Sequence, residues 1–225
     1  MKLAIFIHIA LLPRWEDRVE QYLILMNKSG LLKAANQVVL SFVGEGELNS
    51  RIWTSYGDNF VIHRASADLN RYELPTQKYL YDFCYNNLDY RLLYIHTKGV
   101  GKEINPCIED WINYMTYFCI TCWKDCVQQL ETYQTVGVDL RDSPTLHYSG
   151  NFWWAKSSYI AILPDPYKYE NIEMYPNPIN SPRHNQEFWI CFYKDINFHK
   201  SMWESNINCY ERHLHRYGPE FYINK

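Results

Sequence analysis

The sequence predicts an α/β domain, a layered sandwich of helices around a central, mostly parallel sheet. Short apolar runs alternate with helix-period segments almost from the first residue. Several of those runs, Leu92-Leu93-Tyr94-Ile95 above all, read as continuous buried strands. The chain has 225 residues, 47% hydrophobic and 21% charged, which is enough to bury one sizeable core. The whole of 1–225 is therefore expected to form a single domain.

The first strand runs from Leu3 to Ala10. This apolar start is too short to span a bilayer, which needs roughly 20 apolar residues, and Arg14, Glu16, Asp17 and Arg18 follow it without a small-residue cleavage site. No other stretch is long enough to span, so a soluble protein of the cytoplasm is expected. Glu16 to Lys28 is a helix with Val19, Leu23 and Met26 on one stripe, stopped by Ser29-Gly30. Val38 to Val43 is a second strand that closes on the loop Gly44-Glu45-Gly46, and Phe60 to His63 is a third. Leu74-Pro75-Thr76 opens a helix to about Asn86, with Tyr79, Leu80 and Phe83 on its stripe. Leu92 to Ile95 is the fourth strand. Asn105-Pro106 starts the longest helix, whose period runs through Ile108, Trp111, Ile112, Met115, Cys119, Cys122, Cys126 and Leu130 to about Tyr133. Thr135 to Leu140 and Phe152 to Ala155 are strands, and a short helix runs through Tyr159 and Ile162 to Leu163. The stretch from Pro164 to Pro182 reads as a long loop, His184 to Phe192 as a helix, and the chain from about Asp195 as an irregular tail packed back on the domain.

Composition narrows the function classes. Lys plus Arg number 22 against 25 for Asp plus Glu, a net charge of −3. A nucleic-acid binder tracks phosphates with a basic field, which this balance lacks. Aromatic residues reach 17%, and Tyr and Trp faces suit stacking on sugars as well as core packing. Of the seven cysteines, Cys119, Cys122 and Cys126 fall at helical spacing and read as buried free thiols rather than a zinc site, because no second C-x-x-C pair is present.

Ligands of open α/β sheets bind beyond the carboxyl ends of the strands. There the fourth strand ends in His96-Thr97-Lys98-Gly99. Lys98 offers a compact cation, Thr97 a donor and Gly99 a close backbone approach, a set that suits a diphosphate. His96 would bond to the diphosphate or, like His147, ligate a divalent ion. The plainer reading is a lysine that leaves the sheet for solvent beside a satisfied core histidine. Gly150-Asn151-Phe152-Trp153-Trp154-Ala155 sends adjacent indoles to opposite faces, one for the core and one for a cleft, with Asn151 as a sugar contact; core packing of both rings is the alternative. In Arg183-His184-Asn185-Gln186-Glu187, Glu187 is a candidate base or simply an acid in a helix's first turn. Asp139-Leu140-Arg141-Asp142 reads as a turn. The chain carries no Walker loop, no dinucleotide fingerprint and no G-x-S-x-G elbow.

Six segments together resemble a known family. They are His8-Ile9-Ala10, Tyr72-Glu73-Leu74-Pro75-Thr76, Leu93-Tyr94-Ile95-His96-Thr97-Lys98-Gly99-Val100, Asp110-Trp111 with Tyr114-Met115, Val136-Gly137-Val138, and His147-Tyr148-Ser149-Gly150-Asn151-Phe152-Trp153-Trp154-Ala155. They are similar to glycosyltransferase-type proteins encoded by large DNA viruses, among them relatives of chlorella viruses and mimivirus, and by some bacteria. The resemblance covers most of the chain, to about Trp189, and implies the GT-A fold, a Rossmann-like α/β/α sandwich holding a nucleotide-sugar donor. It implies a donor half in 1–100 and an acceptor half in 101–225, with a UDP-sugar donor and a glycan or other hydroxyl acceptor. From their positions, His8, Ile9, Ala10 and Arg64 are expected to surround the nucleoside with Thr76 nearby, and His96, Thr97 and Lys98 to meet the diphosphate. Gly150, Asn151, Trp153 or Trp154 would hold the donor or acceptor sugar, and Glu187 or Asp142 would activate the acceptor hydroxyl if the reaction inverts. Where GT-A enzymes place D-x-D around Mn²⁺ or Mg²⁺, this chain has His96-Thr97-Lys98, so either Lys98 supplies the charge or other residues hold a metal. Two rivals stand beside this expectation: a non-catalytic carbohydrate-binding protein and a metal-dependent phosphoesterase.

Overall fold

The computed structural model describes residues 1–101, 103–169 and 182–223. Among the described residues the strands, in chain order, are β1 Lys2–Ala10, β2 Gln37–Val43, β3 Phe60–Ser66, β4 Tyr90–His96, β5 Thr135–Gly137, β6 Leu140–Arg141, β7 His147–Tyr148, β8 Trp153–Lys156 and β9 His199–Ser201. The helices are α1 Trp15–Lys28, α2 Leu31–Ala34, α3 Arg51–Thr54, α4 Leu74–Asn86, α5 Pro106–Thr116, α6 Trp123–Gln129, α7 Ser157–Ile160, α8 Pro166–Tyr169 and α9 Pro182–Phe188. Seven strands form one sheet in the order β3-β2-β1-β4-β8-β5-β9, in which β8 runs against both neighbours and the other pairings are parallel. The mostly parallel α/β sandwich is as expected.

Side-chain alternation along the strands feeds two apolar layers. On β1, Ile5, Ile7 and Ile9 enter the layer beneath α1, α5 and α6, together with Tyr22, Met115 and Trp154. Ala4 and Phe6 enter the opposite layer beneath α4 and α7, with Tyr94, Trp153 and Trp189. His8 continues this second stripe, so the stripe turns polar at the carboxyl edge of the sheet. The same turn occurs in register on the adjacent strands, where His8 stands opposite Ser41 on one side and His96 on the other, and Ser41 stands opposite His63.

Four expectations need correction. The long helix from Asn105 does not run unbroken: it turns π-helical at Tyr117–Thr121 between α5 and α6. The Thr116 hydroxyl donates back to the Ile112 and Asn113 carbonyls, and the Cys122 N–H reaches the Tyr117 carbonyl five residues back. This rotates Cys122 away from the face on which Cys119 and Cys126 are buried; all three are free thiols. The strand expected over Thr135 to Leu140 breaks at Asp139, which has φ +54, and Leu140–Arg141 instead pairs with His147–Tyr148 in a separate ribbon. The helix expected over His184 to Phe192 is α9 followed by a 3₁₀ turn at Trp189–Cys191. The tail is irregular, as expected, but contributes β9, which pairs with β5 at the edge of the main sheet. Most of the loop expected over 164–182 lies outside the described residues, and its described start forms α8.

Among the described residues no helix is long and apolar enough to cross a membrane.

Candidate functional site

A cleft of about 720 Å³ opens at the carboxyl edge of β1, β2 and β4. Its floor is the polar end of the second stripe, and α9, the loop before β8 and residues 98–101 wall it in. The chain reaches this edge because Thr97 clasps the ends of β1 and β4. Its N–H donates to the His8 carbonyl at 2.9 Å, and its hydroxyl accepts from the Ala10 N–H at 3.0 Å. One more residue carries the chain to Gly99, whose φ of +77 lets it turn back over Ile108.

Lys98 extends from that turn into the cleft. Its Nζ lies 3.7 Å from the centroid of the Trp111 ring. Among the described residues no carboxylate stands within ion-pair distance of this ammonium. Burial pulls its pKa below the usual lysine value, with Arg183 and Arg212 acting in the same sense and Glu187 and Glu73 opposing. The cation is thus held on an aromatic face and left open to a ligand.

Behind Lys98 the polar stripe is hydrogen-bonded throughout. His96 Nε2 donates to the Gly150 carbonyl at 2.9 Å, which leaves Nδ1 as an acceptor 3.8 Å from Glu73 Oε1. His8 Nδ1 pairs with the Thr76 hydroxyl at 2.9 Å, Thr76 with Ser41 at 2.8 Å, and Ser41 with His63 Nδ1 at 3.0 Å. Burial lowers the pKa of His8 to about 4 and that of His96 to about 3, so both rings are neutral at pH 7.

Sequence reasoning missed Glu73 as a site residue. Its side chain is only 7% exposed and lines the cleft. Oε2 accepts from Tyr94 at 2.6 Å and from Asn151 Nδ2 at 2.7 Å. Trp111, Arg183 and His147 also line the cleft, and His147 Nδ1 donates to the Thr145 carbonyl at 2.8 Å.

Several expected site residues sit elsewhere. Ile9 faces away from the cleft into the first apolar layer. Arg64 is exposed on the edge strand β3 and donates to the Gly46 carbonyl, outside the cleft. Thr76 and Asn151 are fully buried behind His8 and Glu73, where they orient those side chains. Trp153 and Trp154 do take opposite faces, but both are fully buried because β8 lies inside a sheet covered on both sides. Asp142 is exposed and does not line the cleft; Glu187, His8, Ala10, His96, Thr97, Lys98 and Gly150 do.

The tail supports the cleft from outside. Arg212, 2% exposed, pairs with the buried Asp139 at 2.7 Å, and its guanidinium lies 5.7 Å from the centroid of the Trp111 ring. Asp139 also accepts from Tyr114, from Arg141 and from the Ser205 N–H. Removing one member of a buried ion pair is most costly where it leaves the other charge alone. Arg141 still pairs with Asp139 at 2.7 Å, so Arg212→Met is expected to cost about 1–2 kcal/mol of stability, read as a lowered urea midpoint, and an unchanged midpoint would show the pairing to be incidental.

Mn²⁺ and Mg²⁺ favour oxygen ligands. Among the described residues the carboxylates lining the cleft are Glu73, already bonded through Oε2, and Glu187, while the Nε2 of His96 is taken by Gly150. Among the described residues no three His, Cys, Asp or Glu side chains converge as a metal site. Among the described residues, neither His96 nor His147 is joined by two further such side chains that could hold a divalent ion.

Fold and site together define an α/β sandwich with a polar, lysine-bearing cleft at the carboxyl edge of its parallel strands. The chain belongs to the family described as Domain of unknown function (DUF8361), whose profile matches residues 13–209. No curated protein matches it. Among solved structures it is similar to a candidate nucleotide-diphospho-sugar transferase from Desulfovibrio desulfuricans G20. That likeness has 10% identity and a TM-score of 0.46, covering 91% of this chain and 81% of that one.

Proposed function

We propose that the protein transfers a sugar from a nucleotide-sugar donor, a UDP-sugar first among the candidates, to a hydroxyl on a glycan or other acceptor. The observation that carries this reading is Lys98: a cation held over Trp111, without a carboxylate partner among the described residues, in a cleft at the carboxyl edge of a parallel sheet. A site of that kind takes an anion. Ala10, Leu12, Val43 and Leu69 give the adjoining wall an apolar surface for a nucleoside, and the Asn70 amide offers base-edge hydrogen bonds.

In this reading Lys98, with Arg183 in the same cleft, binds the diphosphate and neutralises the charge that grows on it as the glycosidic bond breaks. The anomeric carbon bonds to the acceptor oxygen, and the electron pair of the broken bond leaves with the nucleoside diphosphate. The acceptor's proton passes to Glu187, the cleft carboxylate on α9. Among the described residues no three side chains converge as a metal site, and no step is assigned to a divalent ion.

Ligand-detected NMR against UDP-, GDP- and dTDP-sugars, with and without manganese, tests the reading together with a product assay. Binding of at least one nucleotide sugar in the absence of manganese is the expected result. A protein that binds free oligosaccharides and ignores every nucleotide would instead be a carbohydrate-binding protein. Hydrolysis of phosphodiesters without sugar transfer would mark a phosphoesterase.

A further inference from the structure

Glu73 is a buried carboxylate whose surroundings are not those of an ordinary structural ion pair. No lysine or arginine stands within ion-pair distance of it among the described residues; its charged-type neighbour is His96, neutral at pH 7. Burying a carboxylate is unfavourable unless a counter-charge and hydrogen bonds offset it. Here hydrogen bonds are supplied to one oxygen only. Oε2 receives both Tyr94 and Asn151, while Oε1 has no hydrogen bond from the described residues.

The anchoring is redundant and comes from separated parts of the chain. Tyr94 lies on β4, and Asn151, at φ +57, lies in the loop before β8. The Glu73 N–H is held by Gln186 Oε1 of α9 at 2.8 Å. The preceding residue, Tyr72, has φ +47 with ψ −130, a conformation a residue with a side chain rarely adopts. Strain of this kind persists where surrounding contacts over-determine the backbone, and here it fixes the direction of one carboxylate into one cleft.

We propose that Glu73 is a catalytic carboxylate that faces the anomeric carbon of the donor sugar and stabilises the positive charge that builds there as the diphosphate leaves toward Lys98. The proposal rests on the nucleotide-sugar reading of the cleft and goes beyond it by assigning the sugar end of the breaking bond. Glu73 forms no covalent bond in this role. The carbon–oxygen bond breaks, its electron pair departs with the phosphate, and the acceptor oxygen closes on the carbon. An anion at one end of the breaking bond and a cation at the other would stabilise the same charge separation from both sides.

Glu73→Gln is the test, because the amide oxygen can keep accepting from Tyr94 and Asn151 while the charge is removed. The expected result is a kcat lowered about 100-fold or more, with a Kd for the nucleoside diphosphate within about twofold of wild type, since that product lacks the anomeric carbon. A kcat within threefold of wild type overturns the proposal. So does a loss of diphosphate binding that matches the loss of turnover, which would mark Glu73 as merely structural. Glu73→Ala gives a second readout: added formate is expected to restore turnover at least tenfold, and no restoration overturns the proposal. Should the wild-type protein transfer no sugar from any donor in the panel, the nucleotide-sugar reading itself falls and this role falls with it; normal wild-type transfer with an undiminished Glu73→Gln variant removes the role alone.

Discussion

Lys98→Met is expected to weaken nucleoside-diphosphate binding about 100-fold and to lower kcat/KM about 1,000-fold, while leaving the protein as stable as wild type or more so. The opposite signs follow from the position of Lys98. The methionine side chain keeps an apolar stem over the Trp111 ring, so packing survives. The ammonium, by contrast, is buried enough for its pKa to be depressed and has no carboxylate partner among the described residues, so its charge costs stability in the free protein. A bound diphosphate supplies the missing partner, with charge-assisted hydrogen bonds of about 1.5–3 kcal/mol each. Calorimetry with UDP, run beside a thermal melt, reads both effects on one sample. A variant that binds UDP as wild type does would remove the diphosphate role. A variant that loses binding and melts well below wild type would show that Lys98 is structural.

The fold was legible wherever local pattern and tertiary context agree. Helix α4 shows its start in Leu74-Pro75, and β4 shows itself as an uninterrupted apolar run. Legibility failed where a distant partner sets the backbone. The Asp139 kink depends on Arg212, Tyr114 and Ser205, none of which lies near it in sequence. The π-turn depends on one extra residue between two faces that each obey helical spacing, so the periodicity of Cys119, Cys122 and Cys126 reads straight through it.

The site divides in the same way. His96-Thr97-Lys98-Gly99 stands out because polar chemistry follows an apolar strand without a break, and strand ends are where α/β sheets bind. Glu73 does not stand out, since Tyr72-Glu73-Leu74-Pro75 reads as an ordinary helix start. Its significance comes from Tyr94 and Asn151, which lie 21 and 78 residues away and whose side chains meet it only in the fold. The paired indoles failed in the other direction. Their alternation was correct, but the strand that carries them is interior, so neither ring reaches the cleft.

The polar stripe that builds the cleft also gives the protein a marked acid sensitivity. His8 and His96 stand side by side in register on β1 and β4. Burial is the largest cause of both depressed pKa values, about 4 and about 3 against an ordinary value of 6.5. Glu73 raises the pKa of His8, and the Gly150 carbonyl and Glu187 raise that of His96, while His96 acts against His8 and Lys98 and Arg183 act against His96. Between pH 6.5 and 4 the unfolded chain binds two protons that the folded chain refuses. Stability is therefore fully present above pH 6.5 and falls as the pH drops toward 4, with a slope approaching about 2.7 kcal/mol per pH unit for the two rings. Urea midpoints at pH 7.5, 5.5 and 4.5 are expected to show a loss of several kcal/mol over that span. The slope should be shallower in Lys98→Met, because one of the charges opposing protonation of His96 is gone. A stability that stays level from pH 7.5 to 4.5 would mean that the two imidazoles are hydrated and titrate normally, and the cleft floor would then not be the dry surface on which Lys98 and Glu73 are placed to act.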